Sequence, residues 1–244
     1  MTMTGEIAAN LSRVRHRIAT TCERYGRDAS EITLVAVSKT QSAQAILAAA
    51  AAGLQHFGEN RVEEASEKIP AVNCQTPESL IWHMVGHIQS RKVRMVPSLF
   101  QLVHSVDSLK LATRLSHTIS DQQGSLNILL QINVSGEASK SGLHATGWMD
   151  NPVIRDNLWH TVEQINALPG LNVRGLMTMA PIVADAEQTR PVFAGLVALR
   201  AALVDTLEIA LPELSMGMTD DYPVAIEEGA TIVRVGRAIF GERH

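Results

Sequence analysis

The sequence is short of the features that mark several protein classes. Only two cysteines, Cys22 and Cys74, occur in 244 residues, with no metal-type spacing between them. Two thiols in so long a chain do not make a disulfide framework, which points to a reducing compartment. No stretch approaches the roughly 20 apolar residues a membrane helix needs, and residues 1–10 lack the apolar run of a signal peptide. The expectation is therefore cytoplasmic, with no membrane association. A net charge of -4 is too mild to leave an electrostatic footprint for nucleic acid, so no nucleic-acid partner is expected. Low-complexity tracts and interdomain linkers are missing too.

What is present is an ordinary globular composition, 45% hydrophobic and 19% charged. A chain of this length buries one sizeable core, and an α/β barrel commonly uses about 250 residues as one unit. Ile7, Leu11, Val14 and Ile18 follow helical spacing within residues 5–25, and Gly26 stops that opening helix. The run 32–37 then reads as a buried strand, and the alanine-rich run 42–52 as a helix ended by Gly53. This strand-then-helix unit recurs. Further strands are expected at 55–58, 80–85, 99–106, 127–134, 172–177, 213–216 and 231–235. Helices are expected between them at 62–69, 90–96, 108–120, 155–168, 187–210 and 221–228, with a short turn of helix near the C-terminus. Eight alternating units imply parallel strands joined by helical crossovers. They fit a closed (β/α)8 barrel spanning 1–244 as a single domain, although an open doubly wound sheet shares the pattern. Residues 135–151 form a long polar loop, a place where function often resides.

In a parallel α/β sheet, ligands bind beyond the carboxyl ends of the strands. Lys39 stands at the first such end, after five apolar positions out of six. An amine in apolar surroundings has a depressed pKa and is available for Schiff-base chemistry; the same position also suits a lysine that snorkels to solvent. At the seventh end, Ser215, Gly217, Met218 and Thr219 combine a glycine with small hydroxyls, and Gly236 follows the eighth strand. Glycine turns and helix N-termini cradle phosphate, and barrels often place a phosphate site there beside a short helix such as 237–240. Glycines also arise in such turns from backbone geometry alone. If the barrel closes, strand 1 neighbours strands 7 and 8 closely enough for an amine to face a phosphate.

Other candidates read as structure. His83 and His87 lack a third ligand of matching spacing, so no metal site is expected, and His83 is a pocket residue or a hydrogen-bonded core histidine. Met177, Met179, Met216 and Met218 read as core filling. Asp220 and Asp221 read as helix-capping residues, and Glu63 and Glu64 as a solvated helix face.

Several segments together resemble the pyridoxal 5′-phosphate (PLP) homeostasis proteins, a YggS-like family. They are LVAVSKT (34–40), HFGENRVEE (56–64), WHMVGHIQSRK (82–92), HSVDS (104–108), LLQINVSGEASKSGL (129–143), GLMTMAP (175–181) and LSMGMTDDYPVAIEEGATIVRVGRAIFGER (214–243). The resemblance spans nearly the whole chain in order. It implies a TIM barrel like the N-terminal domain of alanine racemase and the fold-type III PLP proteins, with an internal aldimine between PLP and Lys39. It also implies that Ser215, Gly217, Met218, Gly236 and Arg237 hold the phosphate. Asn60 would then lie near the ring, Arg234 would face the pyridine nitrogen, and His83 would sit close to the site. An arginine there leaves the pyridine unprotonated and the ring a poorer electron sink. Two positions depart from the family's commoner pattern: Arg237, where a small hydroxyl residue is frequent, and His87, where proline is frequent.

The family is regarded as storing or delivering PLP without robust catalysis, so PLP and apo-PLP enzymes are the implied partners and no catalytic residue is assigned. The related racemases carry a second domain that supplies an opposing tyrosine from a partner subunit. No such domain follows the last unit here, which favours a monomer, and the only tyrosines are Tyr25 and Tyr222. The alternatives are a PLP-dependent racemase and, without PLP, an aldolase that uses Lys39 as its nucleophile.

Overall fold

Strands form where the apolar and β-branched runs lie. The computed structural model describes residues 2–77, 79–121, 124–137 and 141–241. Its strands are β1 (Thr33–Val37), β2 (His56–Glu59), β3 (Ile81–Met84), β4 (Leu102–Val106), β5 (Leu126–Asn133), β6 (Leu143–His144), β7 (Leu171–Met177), β8 (Glu213–Ser215) and β9 (Ile232–Val235). The eight expected strands all appear, within a few residues of their expected limits. They pair in parallel in the order β1-β2-β3-β4-β5-β7-β8-β9, and β9 pairs back onto β1 to close the ring. The sheet is therefore the closed barrel and not the open alternative. The sequence pattern did not show β6, a two-residue strand within the long polar loop that pairs with the end of β5. Residues 138–140 of that loop, and 242 and 243 of the last segment resembling the family, lie outside the described residues.

Helices α1 (Met3–Arg24), α2 (Ala43–Ala51), α3 (Val62–Asn73), α4 (Val96–Leu99), α5 (Leu109–Asp121), α6 (Pro152–Asn166), α7 (Arg190–Leu207), α8 (Tyr222–Glu227) and α9 (Arg237–Phe240) surround the ring. In α1, steps of three and four residues bury Ile7, Leu11, Val14, Ile18 and Cys22 on one stripe. That stripe packs against α2, α8 and α9, so the opening helix seals the seam where the chain's two ends meet. Asn10 reinforces the seam by donating to the Ile239 carbonyl at 2.9 Å. The expected helix at 90–96 is instead a 3-10 segment, Ser90–Met95, running into α4. Its only buried side chain is Val93, too little apolar surface to hold a full α-helix against the barrel.

The barrel has two separate apolar compartments. The larger lies between strands and helices. The smaller fills the lumen with Val35, Leu129, Met177 and Ile232, and Met179 packs against it. Side chains alternate between these compartments along β1, β5 and β9. Gly58 gives the lumen space: a Cβ there would lie 3.0 Å from Val35 Cγ1 and 3.3 Å from Val85 Cγ1. Met177 and Met216 are fully buried, as core filling requires.

Two glycines offer a test with opposite signs. A Cβ at Gly175, where β7 shifts register against β5, would lie 1.9 Å from the Glu213 carbonyl oxygen. Gly175→Ala is expected to destabilise the protein by about 3 kcal/mol or more through overpacking. A Cβ at Gly195, inside α7, would meet nothing within 4 Å. Gly195→Ala is expected to stabilise by roughly 0.5–1 kcal/mol, the ordinary helix gain. Urea unfolding midpoints of the two variants check both signs.

Candidate functional site

All eight barrel strands run the same way, so their carboxyl ends share one mouth. Lys39 leaves β1 there, between its hydrogen-bonded neighbours β2 and β9. Its main chain is held on both sides. Ser38 N–H donates to the Gly58 carbonyl at 2.9 Å, and Ser38 Oγ donates to Glu59 Oε1 at 2.6 Å. On the other side, Thr40 N–H donates to Glu64 Oε1 at 2.6 Å. Thr40 is left-handed at φ 65°, a conformation that costs a β-branched residue on the order of 1–3 kcal/mol. The Glu64 bond compensates by fixing the turn.

Lys68, one helical turn after Glu64, ties the cluster together. Its Nζ donates to Glu64 Oε1, to Glu59 Oε1 at 3.0 Å and to the Ser38 carbonyl at 2.9 Å. Burial pushes the Glu59 carboxyl up, although Ser38 and Lys68 pull the other way. For Glu64 burial acts in the same raising sense, but Lys68 and Thr40 N–H together outweigh it and hold the carboxyl low. Glu64 is therefore not part of a solvated face. It is the bracket under the Lys39 turn, reached because β2 and the first turn of α3 bring it beneath the end of β1.

Arg234 lies within β9, buried in the lumen. It donates to Ser215 Oγ and, at 2.9 Å, to the Thr178 carbonyl. Burial lowers its pKa to about 10, with Asp221 opposing, so the guanidinium remains charged at neutral pH. Asn60 follows β2 directly, and its Oδ1 is buried with no hydrogen-bond partner among the described residues. Its backbone is wedged against Gly86: a Cβ there would lie 2.3 Å from the Asn60 carbonyl oxygen.

At the ends of β8 and β9 the glycine turns are present. Gly217 has φ 90°, and a Cβ on it would lie 2.6 Å from Ala225 Cβ, so α8 can approach only a glycine. The aspartates act differently from the expected caps. Asp221 makes no side-chain bond into α8; it turns back and accepts from Met218 N–H at 2.6 Å. Asp220 accepts from the Arg237 guanidinium. Gly236 N–H reaches Thr219 Oγ1 at 3.4 Å.

His83 is buried as a hydrogen-bonded core histidine, and its partners are two residues that sequence reasoning missed. His83 Nε2 lies 3.0 Å from His56 Nδ1, and His83 Nδ1 lies 2.8 Å from His104 Nε2. His104 Nδ1 in turn lies 2.8 Å from Ser215 Oγ. The two-residue alternation of β2 and β4 was the signal that could have found His56 and His104. His87 stays apart from this chain, exposed and 3.5 Å from Asp107. Burial lowers the His83 pKa to about 3, with His56 adding repulsion, and holds His104 well below its ordinary value.

Unfolded histidine takes up a proton near pH 6.5, while these two stay neutral in the folded barrel. The unfolded state then binds more protons, so stability falls as pH drops from about 6.5 toward 3. Each histidine contributes a slope of about 1.4 kcal/mol per pH unit. Urea unfolding between pH 7.5 and 5 is expected to show this loss, and His83→Gln is expected to make its slope shallower.

A profile of the alanine racemase N-terminal domain family matches residues 9–244. The pyridoxal phosphate homeostasis protein of Pseudomonas aeruginosa is 45% identical over 237 residues, covering 97% of this chain and 96% of that one. Its counterpart in Escherichia coli is 40% identical over 246 residues, covering 98% and 97%. The structure of PipY from Synechococcus elongatus with PLP bound superposes with a TM-score of 0.79 at 35% identity, covering 96% of this chain and 100% of that one. An alanine racemase of Clostridium difficile superposes with a TM-score of 0.72 at 12% identity, covering 98% of this chain and 57% of that one, a likeness of fold alone.

Proposed function

The chain belongs to the alanine racemase N-terminal domain family, and on that premise we propose that it binds PLP at the barrel mouth through Lys39 and serves PLP homeostasis without robust catalysis. The whole of 1–244 acts in this reading as one PLP-binding domain, a cytoplasmic monomer that exchanges the cofactor with apo-PLP enzymes. Among the described residues no helix is long and apolar enough to cross a membrane.

The observation that carries the reading is the donor and acceptor set that ring closure brings to the end of the barrel where Lys39 leaves β1. Closure of β1 onto β9 brings the lysine, the buried guanidinium of Arg234 and the partnerless Oδ1 of Asn60 to one mouth. A partnerless buried acceptor is costly unless a ligand or water satisfies it. When bound, PLP supplies an aldehyde that joins reversibly to a primary amine and a ring that can accept electrons. Lys39 Nζ would provide the amine, and Asn60 would orient the ring. Arg234 would donate to the ring nitrogen and keep its own proton, which weakens the ring as an electron sink. The turns at Ser215, Gly217 and Met218, with Gly236 and Arg237, would hold the phosphate. In this structure Met218 N–H is taken by Asp221 and the Arg237 side chain by Asp220. Phosphate binding there would therefore require those carboxylates to give way. His83 would act on the site indirectly, through its bond to His104 and the bond of His104 to Ser215.

The tyrosines favour carriage over racemisation. Tyr222 is buried, with its ring face toward Arg17 of α1, and Tyr25 closes the C-terminal end of α1. Both belong to the outer helical layer, so neither supplies a second proton donor across the mouth.

Purified protein mixed with PLP is expected to develop a violet absorption band, and borohydride is expected to fix a pyridoxyl group on Lys39, read by peptide mass spectrometry. Lys39→Ala is expected to lose both while remaining folded. Absence of band and adduct in the wild type at excess PLP would overturn the reading. Alanine racemisation at rates typical of dedicated racemases would overturn its non-catalytic part.

A further inference from the structure

The lumen holds one feature that cofactor binding does not require. His56, His83 and His104, from adjacent strands β2, β3 and β4, form an unbroken line of hydrogen bonds. The line crosses the lumen to Ser215 of β8 and ends on Arg234 of β9. Its far end opens elsewhere. Half-buried His56 stands at the start of β2, where it lines a cavity of about 380 Å3 at the opposite end of the barrel, with Arg15, Ser30, Thr33 and Gln55.

A neutral imidazole has one donor and one acceptor nitrogen. All three histidines are held below their ordinary pKa by burial, so the line is made of neutral rings. Such a line is satisfied in only two ways. In one, Ser215 Oγ–H donates to His104 Nδ1, His104 Nε2–H to His83 Nδ1, and His83 Nε2–H to His56 Nδ1, which leaves His56 Nε2–H facing the cavity side. In the other every bond is reversed: all three rings carry Nδ1–H, His104 donates to Ser215, and the Ser215 proton is turned away from the line. In both states Ser215 Oγ accepts from Arg234. A mixed state would set two donors or two bare lone pairs against each other in a buried site, which is costly.

What chooses between the states is the need of the Ser215 proton for an acceptor. Among the hydrogen bonds of the described residues, the acceptor offered to it is His104 Nδ1. An acceptor arriving at the mouth competes for that proton, and PLP supplies such acceptors in its phosphate oxygens and ring nitrogen. We infer that His56, His83 and His104 are a tautomeric relay, carrying Nε2–H when the mouth is empty and Nδ1–H when PLP is bound. The inference rests on the PLP reading of the mouth. The histidines are positioning residues: they direct Ser215, and through it the guanidinium of Arg234.

The conversion balances. The Ser215 proton passes to His104 Nδ1, the His104 Nε2 proton to His83 Nδ1, and the His83 Nε2 proton to His56 Nδ1. His56 Nε2 then releases its proton to water at the base, and Ser215 Oγ takes one from water at the mouth. Four protons reside on the four groups before and after, and every ring stays neutral.

The test is nitrogen NMR of protein labelled with 15N-histidine, at pH 7.5, before and after saturation with PLP, with loading followed by absorbance. The expected result is that His56, His83 and His104 exchange their protonated and bare nitrogen signals together on loading, from Nε2–H to Nδ1–H. His56→Phe cuts the exit at the base; it is expected to bind PLP with the same absorption band while His83 and His104 keep one tautomer throughout. Protein that takes up PLP with the three rings unchanged or mixed overturns the relay and leaves the cofactor reading standing. Concerted reversal in His56→Phe overturns the part assigned to His56. Protein that takes up no PLP overturns both proposals.

Discussion

Pairing of the first strand with the last is the constraint on which the rest of the structure depends. Thr33, Leu34, Val35 and Ala36 of β1 lie in register with Ile232, Val233, Arg234 and Val235 of β9. About 200 residues of chain separate the partners, so closing that loop costs entropy before the pairing gains anything. The offset comes from burial on both faces of the strands and from α1, whose apolar stripe covers the seam. Without closure, Lys39 would sit at an exposed sheet edge, far from Arg234 and from the turn at Gly236. With it, an amine and a buried cation share one mouth, and the carboxylates of Glu59 and Glu64 stand beneath the amine's turn.

Closure also creates a compartment that must be filled. The lumen is apolar around Val35, Leu129, Met177 and Ile232, but it also holds a guanidinium and two buried histidines. A buried charge without partners is expensive, and so is a buried imidazole N–H. The two costs are met together: Arg234 binds Ser215 and the Thr178 carbonyl, and Ser215 binds the histidine line. The polar column through the barrel is one satisfied network, and losing any member leaves its neighbours unpaired. Its neutral histidines make the fold acid-sensitive, because the unfolded chain accepts protons that the lumen refuses.

The cluster of Ser38, Glu59, Glu64 and Lys68 plays a comparable part outside the lumen. It holds Thr40 in a conformation that a threonine alone would avoid, and it does so with residues from β2 and α3. Lys39 is thus presented by a turn that is rigid for reasons lying in the next repeat of the chain.

The sequence by itself determined the repeating strand and helix units, because periodicity and glycine stops are local. It also showed Lys39 at a strand end and the glycines of the last two turns. Even the family was legible, from motifs spread across the chain in order. Ring closure, rather than an open sheet, was decided only by tertiary structure, since β1–β9 pairing joins the two ends of the chain. The same holds for the partners of His83: His56 and His104 are 27 and 21 residues away from it, and Ser215, which continues the line from His104, is 132 away; alternation places a side chain in the lumen without saying what it meets there. Glu64 and Asp221 looked like a solvated face and a helix cap because helix position is a local reading. Their partners, Thr40 N–H and Met218 N–H, are set by how a strand end packs under the next helix and how a loop folds back on itself, and no local rule carries that information.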